Sequence, residues 1–113
     1  MRAIVAGPAR ELAGTIHVAH SLFARMKGLL GRKSLDSGEA LWIKPCKGIH
    51  TIGMRFTIDA VFLDGDNRVV AQIPSLPPNR ISPIYRRAAS VIELPAGTLA
   101  GIGLAIGETI EIL

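Results

Sequence analysis

The sequence predicts an α+β, mostly β fold: a small bent antiparallel sheet or barrel of about seven short strands with one main helix. Three observations predict it. Apolar residues make up 49% of the 113-residue chain and charged residues 19%, a balance that suits a packed globule. Twelve glycines and seven prolines cut the apolar stretches into short pieces, which favours strands joined by turns. One stretch alone carries apolar residues at helical spacing.

The elements follow in order. Ala3 to Ala6 is a short strand, and the segment from Gly7-Pro8 to Ala13-Gly14 reads as a hairpin-type connection. Thr15 to His20 alternates polar and apolar residues, the pattern of a half-buried strand. Ser21 can cap a helix whose apolar face is Leu22, Phe23, Met26, Leu29 and Leu30, with Gly31 as its terminator. Ala40 to Ile43 is a strand, and Lys44 to Gly48 is a turn. Thr57 to Leu63 and Arg68 to Ile73 form an antiparallel hairpin around Asp64-Gly65-Asp66-Asn67, residue types that tolerate positive φ. Pro74 to Pro83 holds four prolines and reads as a long surface loop. Val91 to Leu94 is a strand stopped by Pro95-Ala96-Gly97, a helical turn covers Thr98 to Gly101, and Glu108 to Ile112 is the last strand.

At 12.0 kDa the chain fits one domain over residues 1–113. Its formal charge is +4 and its pI about 9.8, which favours anionic partners. No run of Lys and Arg exceeds two residues. The single cysteine, Cys46, excludes an intrachain disulfide and suits a reducing compartment. The N-terminal apolar stretch stops at Pro8, too short for a secretory leader, and no stretch is long enough to cross a membrane. A cytoplasmic protein without a membrane partner is the expectation.

Four blocks carry a resemblance. They are Arg25-Met26-Lys27-Gly28-Leu29-Leu30-Gly31-Arg32, Ile58-Asp59-Ala60-Val61-Phe62-Leu63-Asp64, Val91-Ile92-Glu93-Leu94-Pro95-Ala96-Gly97 and Gly103-Leu104-Ala105-Ile106-Gly107-Glu108-Thr109-Ile110. In this order they resemble the domain-of-unknown-function 192 family. The resemblance implies a small mixed β fold and no particular reaction. Many members carry a Phe-Trp-Met-Lys-Asn-Thr segment before the second block. Ile49-His50-Thr51-Ile52-Gly53-Met54 stands there in this chain, with His50 at the Trp position.

The unusual residues concentrate between Cys46 and Asp59. Asp59 and Glu93 lie within apolar strands, where a carboxylate is costly unless paired or wet. His50, Thr51 and Arg55 are expected to line a polar cleft facing Asp59 and Glu93, with an Arg55–Asp59 or Arg55–Glu93 ion pair as the purely structural alternative. Cys46, His50 and Met54, each four apart, offer soft donors for Cu(I) or Zn(II), but Pro45, Gly48 and Gly53 oppose a helix there. Cys46 with His50 could form a nucleophile pair, its thiolate favoured by Lys44 and Lys47. His50, Asp59 and Glu93 could instead serve acid–base chemistry.

These residues point first to a non-enzymatic binding or accessory module for an anionic ligand or peptide. The second class is an enzyme, and the third a metal-binding protein. No cofactor motif is present. Arg80, Arg86 and Arg87 with Arg32 and Lys33 could form a nucleic-acid patch, but aromatics are 4% of the chain, too few for stacking platforms. His17 and His20 read as surface residues.

Overall fold

The computed structural model describes residues 1–7 and 10–113, with the backbone of Leu22, Phe23 and Met26. The elements run β1 (Ala3–Val5), β2 (Arg10–Ala13), β3 (Thr15–Ala19), α1 (Leu22–Lys27), β4 (Glu39–Ile43), β5 (Ile58–Leu63), β6 (Val69–Leu76), β7 (Ser90–Pro95), α2 (Thr98–Ile102) and β8 (Ile110–Ile112). They make a three-stranded sheet in the order β2-β1-β8 and a five-stranded sheet in the order β3-β4-β7-β5-β6. The mostly β class is as the sequence predicts. The sheets do not close into a barrel.

One face of the five-stranded sheet carries Trp42, Val61, Leu63, Ile92 and Leu94. It packs on Ala3, Val5, Leu12 and Ile110 of the smaller sheet and on Leu99 of α2. Burying each large aliphatic chain contributes about 1.5–3 kcal/mol. The opposite face carries Ile58, Ala60, Phe62 and Val91 under two smaller clusters, built from Leu29, Leu35, Met54 and Leu76 and from Ala71 and Ala88. The central strands β5 and β7 are therefore covered on both faces.

Several local expectations change. The connection after β1 contains a strand, β2, paired antiparallel with β1. Strand β3 runs parallel to β4, because α1 and the turns after it carry the chain back across the sheet. The proline-rich stretch begins inside a strand: β6 continues through Pro74 to Leu76. It can do so because β6 is a sheet edge and the β5–β6 register shifts between Ile58 and Ala60. The helix ends at Lys27, where Gly28 at φ +49° donates its N–H to Ala24, rather than at Gly31. Ser21 caps it as expected, accepting from the Ala24 N–H at 3.0 Å. The expected turn at Pro8 and the apolar face from Leu22, Phe23 and Met26 lie outside the described residues.

Candidate functional site

The registers decide where the two buried carboxylates point. Asp59 stands opposite Leu94 and Ala60 opposite Glu93. Cross-strand partners share a face and neighbours along a strand alternate. Asp59 and Glu93 therefore face opposite sides of the sheet.

Asp59, fully buried, belongs to the architecture. Its Oδ1 accepts the Ser75 N–H and its Oδ2 the Leu99 N–H, both at 2.9 Å. Ser75 sits at φ +53° in the bulged part of β6, and Leu99 lies in the first turn of α2. One carboxylate thus satisfies an edge-strand N–H and an orphan helix N–H.

Glu93 lies under a cleft of about 580 Å³ whose walls are largely apolar, among them Leu29, Ile43 and Ile49. The strand residue opposite it is the small Ala60. Glu93 is 2% exposed, and its Oε1 has no hydrogen-bond partner. Burial pushes its carboxyl up from 4.5 to about 7. Gly28 passes close above: a Cβ there would lie 3.9 Å from Glu93 Oε1. Arg25 enters from α1, its Nη1 donating to the Pro45 carbonyl at 2.9 Å. Its buried Nε also lacks a partner.

Of the five predicted site residues, the structure brings His50 and Glu93 to one cleft. The remaining three lie elsewhere. Thr51 is buried, its hydroxyl donating to the Pro77 carbonyl at 2.6 Å and accepting from the Arg80 N–H at 3.0 Å. Arg55 is exposed. Neither an Arg55–Asp59 nor an Arg55–Glu93 pair occurs among the ion pairs of the described residues. Opposite sheet faces also separate the proposed His50, Asp59 and Glu93 set.

Cys46 and Met54 border the same cleft. Met54 packs with Leu29 and Ile58 in an apolar cluster. Among the described residues no three His, Cys, Asp or Glu side chains converge as a metal cage. The Cys46 thiol donates to the Gly48 carbonyl at 3.0 Å. Burial pushes the thiol up; a backbone hydrogen bond at Gly48 opposes this, Glu93 adds to it and Arg25 opposes it. The lysines expected to favour its thiolate point elsewhere. Lys44 lies 4.1 Å over the Trp42 ring, and Lys47 donates to the Arg86 and Ala88 carbonyls at 2.8 Å each. An activated cysteine nucleophile is not built here. His17 and His20 are exposed, as expected.

Sequence reasoning missed Arg25 and Gly28 as cleft residues. The available signal was their place in the first of the four blocks, while Glu93 comes from the third. The profile of the domain-of-unknown-function 192 family, described as an uncharacterised ACR, matches residues 4–112. The chain belongs to this family. No curated protein matches the sequence. Two solved structures are similar in fold. One is a protein of unknown function from Novosphingobium aromaticivorans DSM 12444, at 20% identity and a TM-score of 0.86, covering 99% of this chain and 84% of that one. The other, from Sinorhizobium meliloti 1021 and provisionally described as a transcription regulator, is 20% identical with a TM-score of 0.84. It covers 97% of this chain and 91% of that one. Membership of the family brings no known reaction, so the cleft itself carries the functional reading.

Proposed function

We propose that this protein is a non-enzymatic binding or accessory module whose cleft receives an amide-bearing ligand, a peptide segment above all. The observation that carries this reading is the bare Oε1 of Glu93 beneath an open cleft. Buried polar groups ordinarily find partners, and a ligand N–H would supply one. The unpartnered Nε of Arg25 offers a donor for a ligand carbonyl. Arg25 and Glu93 form no ion pair among the described residues. A peptide group presents one donor and one acceptor, and the apolar walls suit an aliphatic side chain.

An anionic ligand fits less well as the deep occupant, since its charge would meet the Glu93 carboxylate above pH 7. Lys27 and His50 border the cleft and suit an acidic group near its mouth. A second reading is favoured by one observation: a carboxyl near 7 can serve general acid–base chemistry. The lone thiol suits a reducing compartment, and we place the protein in the cytoplasm.

The test is titration of the ¹⁵N-labelled protein with N-acetyl-leucine methylamide, a minimal peptide group with an aliphatic side chain. Saturable shifts at Gly28, Cys46, Gly48 and Ile49 are expected, with a Kd on the order of millimolar for so small a probe. A folded Glu93→Leu variant should lose them. Non-saturating shifts, or equal binding by that variant, would overturn the reading.

A further inference from the structure

Residues 44–58 and 74–92 contain six Lys and Arg residues and no Asp or Glu, in a chain with 13 cationic and nine acidic residues. The structure laces parts of these segments into an antiparallel loop pair. The Tyr85 N–H donates to the Lys47 carbonyl at 2.9 Å and the Ser82 N–H to the Ile49 carbonyl at 2.9 Å. The Thr51 N–H donates to the Arg80 carbonyl at 2.8 Å. The buried Thr51 hydroxyl and the Ser82 hydroxyl, which accepts the Ile49 N–H, add side-chain bonds between the two loops.

This ordered pair exposes Ile52 at 51%, Ile81 at 74% and Ile84 at 70%. Ile84 lies across Gly48, where a Cβ would come within 2.6 Å of its Cδ1. Exposed aliphatic groups on a preorganised surface mark interaction sites. The arginines of the two segments, Arg55, Arg80, Arg86 and Arg87, form no ion pairs among the described residues, although Arg86 and Arg87 line a second cleft that also holds Asp64. Glu39, Asp64, Asp66 and Glu108 pair with Arg32, Arg68 and Arg10 elsewhere.

We propose that the 47–53/79–85 loop pair docks an acidic, aliphatic segment of a partner protein. Aliphatic partner residues would cover the isoleucines, and acidic ones would meet the arginines. A bilayer fits less well, because the exposed large apolar residues of this loop pair, Ile52, Ile81 and Ile84, are all aliphatic, without the Trp and Tyr that favour lipid interfaces. A flat lipid surface would also leave unfilled the concave cleft that Ile84 borders. Single-stranded nucleic acid needs exposed aromatic platforms. The loop pair's one aromatic, Tyr85, instead holds its ring 4.5 Å from that of Phe62.

The surface adjoins the cleft but does not depend on Glu93. The experiment compares labelled decapeptides of alternating Glu/Leu, Lys/Leu and Glu/Ser by fluorescence anisotropy, with amide shifts mapped by NMR. The Glu/Leu peptide should bind roughly tenfold or more tightly than either control. It should shift residues 47–55 and 79–87. Ile81→Ser/Ile84→Ser and Arg80→Glu/Arg86→Glu should each lose roughly tenfold in affinity, with melting temperatures confirming that both fold. Shifts at Ile52, Arg80 and Ile81, which lie outside the cleft lining, separate this surface from the cleft. Equal binding of the three peptides would overturn the proposal, as would shifts confined to other regions or variants that bind like the parent. So would tighter binding to phosphatidylglycerol–phosphatidylcholine vesicles or to oligo-dT.

Discussion

Replacing Glu93 by Gln should stabilise the protein at alkaline pH, which is unusual for a buried polar position. The carboxyl is 2% exposed and is held near 7, against an ordinary 4.5. Between those values the folded state keeps a proton that the unfolded state has released. Stability from this group is therefore fully present below about 4.5, declines as pH rises through the window, and is lost above about 7. At about 1.4 kcal/mol per pH unit, the full effect is about 3 kcal/mol. Gln cannot ionise and avoids that loss, although its amide N–H group, also without a partner, costs about 1 kcal/mol. The net gain at pH 8.5 is about 2 kcal/mol, or roughly 8 °C in Tm for a chain of this size. At pH 5 the variant should match the parent or lie slightly below it. Thermal melts by circular dichroism across pH 5 to 8.5 check this, read as variant minus parent so that other titrating groups cancel. A difference that stays flat with pH, or falls as pH rises, would refute the assignment of a bare buried carboxyl.

Three further outcomes follow from other groups. Asp59→Asn can accept only one of the two N–H groups that Asp59 now serves, so it should lose about 2–3 kcal/mol and roughly 10 °C in Tm; a drop under about 2 °C would contradict the capping role. Cys46 should react with iodoacetamide at pH 8 roughly tenfold or more slowly than a cysteine in a short peptide, because its thiol is half-buried and burial pushes it up; the rate should recover in urea. Arg32 holds Glu39 down at about 2, by hydrogen bonding first. The pair's contribution is therefore present above the ordinary 4.5 and lost as pH falls through about 2, and Glu39→Gln should cost under about 1 kcal/mol at pH 7 for a surface pair whose Arg32 side is open to solvent. A larger loss, or one that grows on acidification, would contradict it.

How far the sequence could be read depended on what each signal encodes. The Thr57–Leu63 and Val91–Leu94 expectations match β5 and β7 because branched, aromatic and aliphatic side chains crowd both segments. Ser21 announced its cap through its hydroxyl. Strand β2 was hidden because Arg10-Glu11-Leu12-Ala13 has no alternation, its burial running from exposed to buried along four residues. The parallel β3–β4 pairing depends on where the chain returns, which local pattern does not encode. At the site, His50 and Glu93 were named and do share a cleft. Asp59 was misplaced because every residue of β5 is buried. A strand covered on both faces shows no polar–apolar alternation, so its face assignment waits for the register.

The contrast between Asp59 and Glu93 carries the functional argument. Both are buried carboxyls on adjacent central strands, offset by one step of the β5–β7 ladder. Burial alone would make them equally suspect as site residues. What separates them is hydrogen-bonding capacity already used. Asp59 accepts two backbone N–H groups that the bulge and α2 leave over, so its removal is a loss to the fold. Glu93 keeps an unpartnered oxygen beneath an open cleft, whose lining also includes Arg25 with an unpartnered Nε. A group whose desolvation nothing in the chain offsets is poorly explained by stability. It is well explained by a ligand that supplies the missing bond, and the sign of the Glu93→Gln effect distinguishes the two.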